Sequence, residues 1–289
     1  MSALSRKNKR LIIKIFGLLS IVRWPNVLFT ALAQYIAAIF IFTPESGLWA
    51  DLQDFKLHLI VLSTSFMLAG GYIINSFYDF EKDLINRPHK TLFDRVVSKE
   101  FSLYTYFFLN ILGLLLSVLA SWRVLVYFSC YAFGLWYYSH KLQKFSIVRE
   151  LSSAVLSVMS VFSIVLYYQY VNTTMVLYGS IFMTVLLQRE VIKDIMNYVG
   201  DKALGFDSIA VRWGIGFCQR LIALISFLSI GLIGLFYHLA DGTWIQYLAI
   251  TLIGLTVMSV ILTVFKKFKF AHQVYKTIMV VLILYLAVY

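Results

Sequence analysis

The feature that most constrains this chain is a series of nine apolar runs, each long enough to cross the roughly 30 Å hydrocarbon core of a bilayer as a helix. The runs lie near 24–42, 57–79, 102–121, 123–140, 148–170, 174–192, 217–239, 244–265 and 273–289. Lipid offers no partner to backbone polar groups, so segments of this kind must satisfy them internally as helices. The sequence therefore predicts an all-α integral membrane protein with nine transmembrane helices.

Composition supports this fold class and excludes others. The 289 residues are 61% hydrophobic with a mean hydropathy of +0.81, a balance that a soluble core of this size cannot hide from water. The basic N-terminal segment leads into an apolar run interrupted by Lys14 and Arg23, so we expect no cleaved signal peptide. The net charge of +11 comes from basic residues that flank apolar runs, which indicates topology rather than a nucleic-acid partner.

The distribution of basic residues orients the nine helices. With nine spans, all of the 25 lysines and arginines except Lys56 and Arg123 fall on the side of the N-terminus. The positive-inside rule then predicts a cytoplasmic N-terminus. No linker-like or low-complexity stretch interrupts the chain, so we expect a single domain over residues 1–289. We expect this domain to lie in a bacterial or archaeal cell membrane.

Two acidic stretches at helix ends are the candidate functional residues. In the first stretch, Asn75, Asp79 and Asp83 recur every four residues and share one helix face. In the second stretch, the spacing i, i+4, i+7, i+11 places four polar side chains on one stripe: Glu190, Asp194, Asn197 and Asp201. Carboxylates at membrane depth are costly unless paired, hydrated or metal-bound, so both sets indicate function. The topology places both at the cytoplasmic side.

Spaced oxygen ligands on two helices suit Mg²⁺, which takes one or two carboxylates and keeps other positions for water and substrate phosphate. Basic residues near both sets could neutralise the same polyanion: Arg87, Lys90, Arg189, Lys193 and Lys202. A prenyl diphosphate combines a head that needs such groups with a tail that needs an apolar environment. The pattern therefore predicts Mg²⁺-assisted departure of diphosphate from a prenyl donor, with Asp79, Asp83, Asp194 and Asp201 as metal ligands.

These residues resemble the UbiA-type intramembrane prenyltransferases over nearly the whole chain. That resemblance implies nine transmembrane helices around a central cavity with two aspartate-rich motifs at its cytoplasmic mouth. The first motif is matched at Asn75, Asp79 and Asp83 and is followed by Asn86-Arg87-Pro88, with Ser76 where many members have Asp. The second is matched at Asp194 and Asp201, with Asn197 in place of a frequent aspartate.

Two shorter segments extend the resemblance. Trp136 to Lys144 is similar to the family's Tyr-Ser-x-x-Leu-Lys segment, which implies substrate contacts for Tyr138 and for Lys144, with Lys141 as the alternative lysine. Arg23-Trp24-Pro25-Asn26 is similar to the family's N-terminal motif and implies a cavity-lining Asn26. Arg87, Glu190, Lys193 and Asn197 complete the predicted substrate-binding residues.

The sequence motif Arg-Glu-x-Ile-Lys-Asp-Ile, followed by Gly-Asp, most resembles the motif of geranylgeranylglycerol-phosphate geranylgeranyltransferases. It implies transfer of a polyprenyl group, with geranylgeranyl as the first candidate, to a lipid-soluble acceptor such as geranylgeranylglycerol phosphate in ether-lipid synthesis. An aromatic quinone precursor or a chlorophyllide-like acceptor is the alternative. A transporter of divalent cations or anionic lipids, and a non-catalytic relative, are the other hypotheses.

Overall fold

The computed structural model of the chain describes residues 6–42, 52–94, 96–169, 171–240, 242 and 244–287, with side chains from residue 12 onward except 92 and 93. Within these ranges all regular structure is helical. The helices are α1 (Arg6–Val22), α2 (Trp24–Ala37, continued by a π-helical turn over Ala38–Phe42), α3 (Phe55–Tyr78), α4 (Phe80–Asn86), α5 (Pro88–Asp94), α6 (Lys99–Ala120), α7 (Trp122–His140), α8 (Val148–Tyr168), α9 (Thr173–Ala203), α10 (Ile209–Trp213), α11 (Ile215–Leu239), α12 (Trp244–Val264) and α13 (Phe268–Tyr285). A 3₁₀ turn, Leu142–Lys144, precedes α8.

Each of the nine predicted spans coincides with a long helix, and seven of these helices are long and apolar enough to cross a membrane. The seven are α2 with its π-helical turn, α3, α6, α8, α9, α11 and α12. The other two, α7 and α13, lie where spans were predicted but are less apolar, since α7 is rich in Tyr and Trp and α13 contains Lys269 and Lys276. The chain is therefore an all-helical, multi-pass membrane protein, and the count of nine spans stays a prediction.

One boundary differs clearly from the sequence prediction. The sixth span was expected to end near residue 192, whereas α9 continues without interruption to Ala203. The helix persists because its charged residues alternate with apolar side chains such as Val191, Ile192 and Ile195, which remain buried against the core. The second acidic stripe therefore lies entirely on one helix.

The chain forms two compact units, residues 1–32 with 55–140 and residues 33–54 with 141–289, and the single-domain organisation remains a prediction. In the first unit α3 packs against α6 and α7. Small residues allow these helices to approach closely. A Cβ on Gly71 would lie 3.0 Å from Leu135 of α7, and one on Gly113 of α6 would lie 2.9 Å from Met67 and 3.4 Å from the Ser63 carbonyl oxygen.

In the second unit α9 packs against α8, α11 and α13, and α12 packs against α11 and α13. The core contains fully buried apolar and aromatic side chains, including Ile192 of α9, Cys218 and Ile222 of α11, and Tyr275 of α13. This packing fixes the face of α9 that carries the second acidic stripe.

Candidate active site

The first acidic set lies where α3 ends and α4 begins. The helix breaks at Asp79, yet backbone bonds of the i to i−4 type continue from Asp79 N–H to Asn75, from Asp83 N–H to Asp79 and from Arg87 N–H to Asp83, at 2.9, 2.8 and 2.7 Å. Asn75, Asp79, Asp83 and Arg87 therefore remain in one line across the break. The predicted spacing of four residues therefore still aligns these side chains, although they lie on two consecutive helices.

Asp79 is already held by neighbours on this stripe and beside it. The Asn75 side-chain amide donates to Asp79 Oδ2 at 3.0 Å, and Lys82 Nζ lies 2.9 Å from Asp79 Oδ1. Lys82 is buried, with only 6% of its surface exposed, and its ammonium forms an ion pair with this carboxylate. From the sequence alone, Lys82 is only one of the basic residues on the side of the N-terminus.

Asp83 faces open space instead. Among the described residues its carboxylate has no ion pair, and it lines a cavity of about 340 Å³ in the first unit, together with Ser76, Asp94 and Lys99. Burial, and next the negative charge of Asp79, raise the pKa of Asp83 above its ordinary value. Arg87, Lys82 and Arg23 act in the opposite direction, so three cations surround this carboxylate within the unit.

The N-terminal motif is organised by Tyr72 of α3. The Arg23 guanidinium lies 5.2 Å above the Tyr72 ring, and the Asn26 amide donates to the Tyr72 hydroxyl at 3.2 Å. Arg23 has a φ of 53°, a left-handed conformation that breaks the chain between α1 and α2. Whether Asn26 contacts substrate stays a prediction, but its position next to Arg23 on one aromatic side chain is defined.

The second acidic set is organised by an arginine that the sequence reading missed as a site residue. Arg149, in the first turn of α8, points one guanidinium nitrogen at Asp194 Oδ1, another at Asp201 Oδ2 at 3.1 Å, and its Nε at Glu150 Oε1 at 3.0 Å. All four residues are buried, with exposures of 6% for Arg149, 3% for Glu150, 5% for Asp194 and 0% for Asp201. One guanidinium thus faces three carboxylates in a water-poor environment.

The turn that delivers Arg149 is strained. Ile147, directly before α8, has φ 66° and ψ −50°, and the Val148 N–H donates to the Ser146 carbonyl at 2.8 Å. This is a γ-turn with positive φ at its centre, a rare and unfavourable conformation for a β-branched residue. Ile147 is 55% exposed, so local packing of its side chain does not explain the strain.

The remaining members of the second stripe have different environments. Glu190 is buried and paired with Arg189 at 3.1 Å and with Lys193 at 2.6 Å. Asn197 is half-buried on the same helix. Tyr138 is half-buried near the end of α7, and Arg87 is half-buried directly after α4. Lys141, before the 3₁₀ turn, and Lys144, its last residue, are both exposed. Contacts of these residues with substrate stay predictions.

The donor atoms of both sets suit a hard cation only in part. No three acidic, histidine or cysteine side chains in the described part of the chain converge on a common point that could hold a metal ion. At the second set the reason is visible, because Arg149 lies between the carboxylates. Even so, Arg149 contacts only Glu150 Oε1 and Asp194 Oδ1, and the other carboxylate oxygens, Glu150 Oε2 and Asp194 Oδ2, are also buried at this set.

An apolar groove runs beside the second set within the same unit. It has a volume of about 670 Å³ and is lined by α8, α9 and α11, with side chains such as Met159, Phe162, Met183, Leu187 and Leu228. Leu187 and Asp194 are seven residues apart on α9 and so lie on the same side of that helix, about 10 Å apart along its axis. Hydrocarbon-lined space and buried carboxylates therefore follow one another along α9.

Fold and site together define a multi-pass integral membrane protein with two sets of carboxylates next to basic side chains, the first set partly buried and the second fully buried. Residues 27–280 match the UbiA prenyltransferase family, and the chain belongs to that family. It is accordingly a membrane prenyltransferase.

Curated relatives agree with this assignment, and solved structures share the fold. The chain is 32% identical over 213 residues to digeranylgeranylglyceryl phosphate synthase of Sulfurisphaera tokodaii, covering 71% of this chain and 73% of the relative. It is 24% identical over 258 residues to the enzyme of the same name from Pyrococcus furiosus, covering 89% and 90%. A solved structure of a digeranylgeranylglyceryl phosphate synthase has a TM-score of 0.69 at 21% identity, covering 95% of this chain and 98% of that one. A UbiA homologue from Archaeoglobus fulgidus, bound to GPP and Mg²⁺, has a TM-score of 0.67 at 14% identity, covering 92% and 99%.

Proposed function

We propose that this membrane prenyltransferase transfers a geranylgeranyl group from its diphosphate to geranylgeranylglycerol phosphate, a step of ether-lipid synthesis. The observation that carries the proposal is the sequence similarity to digeranylgeranylglyceryl phosphate synthases at up to 32% identity. An aromatic acceptor remains the alternative, and no feature of the described residues favours it. We further propose nine spans with a cytoplasmic N-terminus. The long helix that the described residues form at each predicted position supports the spans, and the distribution of basic residues supports the orientation.

The acidic sets would serve the leaving diphosphate. Mg²⁺ would be held by Asp79 and Asp83 in the first unit and by Asp194 and Asp201 in the second, and its role is to stabilise negative charge on the departing diphosphate. A UbiA homologue binds GPP with Mg²⁺, which supports this metal. Asn75 would orient Asp79, to which it already donates. Arg87 and Lys193 would neutralise the polyanion, and Asn26, Tyr138, Lys144, Glu190 and Asn197 stay proposed substrate contacts.

The apolar groove would hold a hydrocarbon chain. Its lining of Val, Leu, Met and Phe side chains suits an isoprenoid, and the buried carboxylates lie further along the same side of α9. An amphipathic molecule lying along α9 would place its tail in this groove and its phosphorylated head towards Asp194. Both substrates of the proposed reaction have this character.

The test is a transfer assay on the purified, detergent-solubilised protein. Labelled geranylgeranyl diphosphate and Mg²⁺ are supplied with geranylgeranylglycerol phosphate, an aromatic quinone precursor or no acceptor. We expect a product only with the glycerol phosphate lipid, and loss of at least about 100-fold in rate for Asp79→Ala and Asp194→Ala, since a metal ligand supplies several kcal/mol of transition-state stabilisation.

Matched controls are available close in sequence to both acidic sets. Glu81 of α4 is exposed, and Asp207 is paired with Arg212 at the surface, so Glu81→Ala and Asp207→Ala should retain activity. Formation of a product only with the aromatic quinone precursor would show that the acceptor is aromatic and not geranylgeranylglycerol phosphate. Absence of diphosphate release with every acceptor, in protein that is folded and monodisperse, would overturn the proposed function.

A further inference from the structure

We propose that Arg149 is the resident counter-cation of the second acidic set, and that it competes with a divalent cation for Asp194 and Asp201. The inference rests on the proposed function of those aspartates and deepens it. In this inference Arg149 is a positioning residue. It acts through the carboxylates of Asp194 and Asp201 and controls when they can bind metal.

The first argument is geometric. A divalent cation shared by Asp194 and Asp201 would need oxygen atoms that now face the guanidinium, namely Asp194 Oδ1 and Asp201 Oδ2. The forked guanidinium bridges two carboxylates in a way that a lysine ammonium cannot reproduce. Metal and arginine would therefore occupy the same oxygens, and binding of one weakens binding of the other.

The second argument is electrostatic. Glu150, Asp194 and Asp201 are all buried, and each of the three carboxylates contacts the Arg149 guanidinium. Breaking a buried pair by removing one partner is strongly unfavourable because an uncompensated charge remains. Removal of Arg149 should thus destabilise the metal-free protein and increase the attraction of the set for an incoming cation.

The third argument comes from the backbone. Ile147 adopts a strained positive-φ γ-turn immediately before the helix that presents Arg149 and Glu150. Strained conformations persist only where the surroundings impose them, and they concentrate at functional sites. The ion pairs from Arg149 to α9 are interactions that can hold the first turn of α8 in place.

The experiment is a Mg²⁺ titration followed by the melting temperature of the detergent-solubilised protein, without substrate. We compare the wild type with Arg149→Gln, Arg149→Lys and Glu150→Gln. For Arg149→Gln we expect a lower melting temperature without metal. The Mg²⁺ midpoint of the phase that belongs to the second set, which Asp194→Asn should remove, is expected to be about 5- to 150-fold lower than in the wild type, the range typical of coupling between two bound groups.

The other variants give opposite or graded results. Glu150→Gln removes a negative charge from the same cluster and should raise the Mg²⁺ midpoint. Arg149→Lys keeps the charge without the fork and should give a midpoint between those of Arg149→Gln and the wild type, which preserves the test if Arg149→Gln fails to fold. The double variant Arg149→Gln, Asp194→Asn should not show the lower Mg²⁺ midpoint, because one of the two carboxylates proposed to bind the cation is gone. The first acidic set, in the other unit, is unchanged in this variant.

An unchanged or higher Mg²⁺ midpoint in both Arg149 variants would overturn the inference. Its failure is distinguishable from failure of the proposed function. Metal-dependent prenyl transfer with unaltered midpoints would remove only the role of Arg149. Altered midpoints without transfer to any acceptor would leave the competition intact and remove the proposed reaction.

Discussion

The ion pair between Asp79 and Lys82 allows the structural and chemical roles of Asp79 to be separated. Asp79→Asn removes the charge opposite a buried ammonium, while Asn75 remains beside it. Breaking a fully buried pair typically costs 3 to 5 kcal/mol, and the Asp79 side chain is 13% exposed, so we expect a loss of about 2 to 3 kcal/mol in unfolding free energy. Lys82→Met should cost a similar amount, because it leaves the carboxylate without its cation.

The double variant Asp79→Asn, Lys82→Met replaces the pair by uncharged groups of similar volume. Such replacements are often neutral, so its stability should lie within about 1 kcal/mol of the wild type, with a coupling energy of about 1 to 3 kcal/mol between the two sites. Activity should behave differently. If Asp79 binds metal, the double variant should remain at least about 100-fold slower than the wild type although it is stable again.

Thermal or denaturant unfolding in micelles measures the stability cycle, and release of diphosphate from labelled geranylgeranyl diphosphate measures activity in the same preparations. Recovery of transfer together with stability in the double variant would refute the chemical role of Asp79 and leave it as a partner of Lys82.

Three further predictions concern stability. Because burial and the charge of Asp79 raise the pKa of Asp83, the stability this residue contributes is present at low pH and lost as pH rises through its folded pKa. Asp83→Asn should therefore stabilise the metal-free protein at pH 7 and reduce the fall in its melting temperature as pH rises above the ordinary range of a carboxyl group. Ile147→Gly should raise stability by up to about 2 kcal/mol, whereas Ile147→Ala, which keeps a Cβ at positive φ, should not; equal losses in both would contradict the strain. Gly113→Leu should cost about 1 to 3 kcal/mol by overpacking against Met67, while Gly254→Leu, at a position with open space, should be tolerated in the same unfolding assay.

Much of the fold follows from apolar length alone, and the exceptions have physical reasons. A run of about 20 apolar residues is sufficient to predict a helix, so all nine predicted spans coincide with helices. The same criterion ends the sixth span near residue 192, whereas the helix continues to Ala203, because hydropathy falls where charges enter although the opposite face of α9 stays apolar. Helical periodicity extending past Ile192 was the available signal for the longer helix.

The candidate site divides in a similar way. The two stripes were predictable because their periodicity is local, and the structure retains both on continuous helical geometry. Arg149 was counted only as a topological charge, because its partners Asp194 and Asp201 lie 45 and 52 residues further along the chain. A single sequence contains no record of such a pairing. The one local indication was the pair Arg149-Glu150 at the start of an apolar helix, because charged residues in such a position need partners of opposite charge when they are buried.

The two acidic sets differ in how their cations can be displaced, and this difference predicts an order of metal loading. Lys82 lies three residues from Asp79, so its ammonium can leave by rotation of one flexible side chain. Arg149 joins α8 to two positions of α9 and ends a strained turn, so its departure disrupts packing between helices. We therefore expect two phases in the Mg²⁺ titration. The phase at lower Mg²⁺ concentration should disappear in Asp83→Asn, and the phase at higher concentration should disappear in Asp194→Asn. The reverse assignment would show that the mobility of the counter-cation does not determine the metal affinity of these sets.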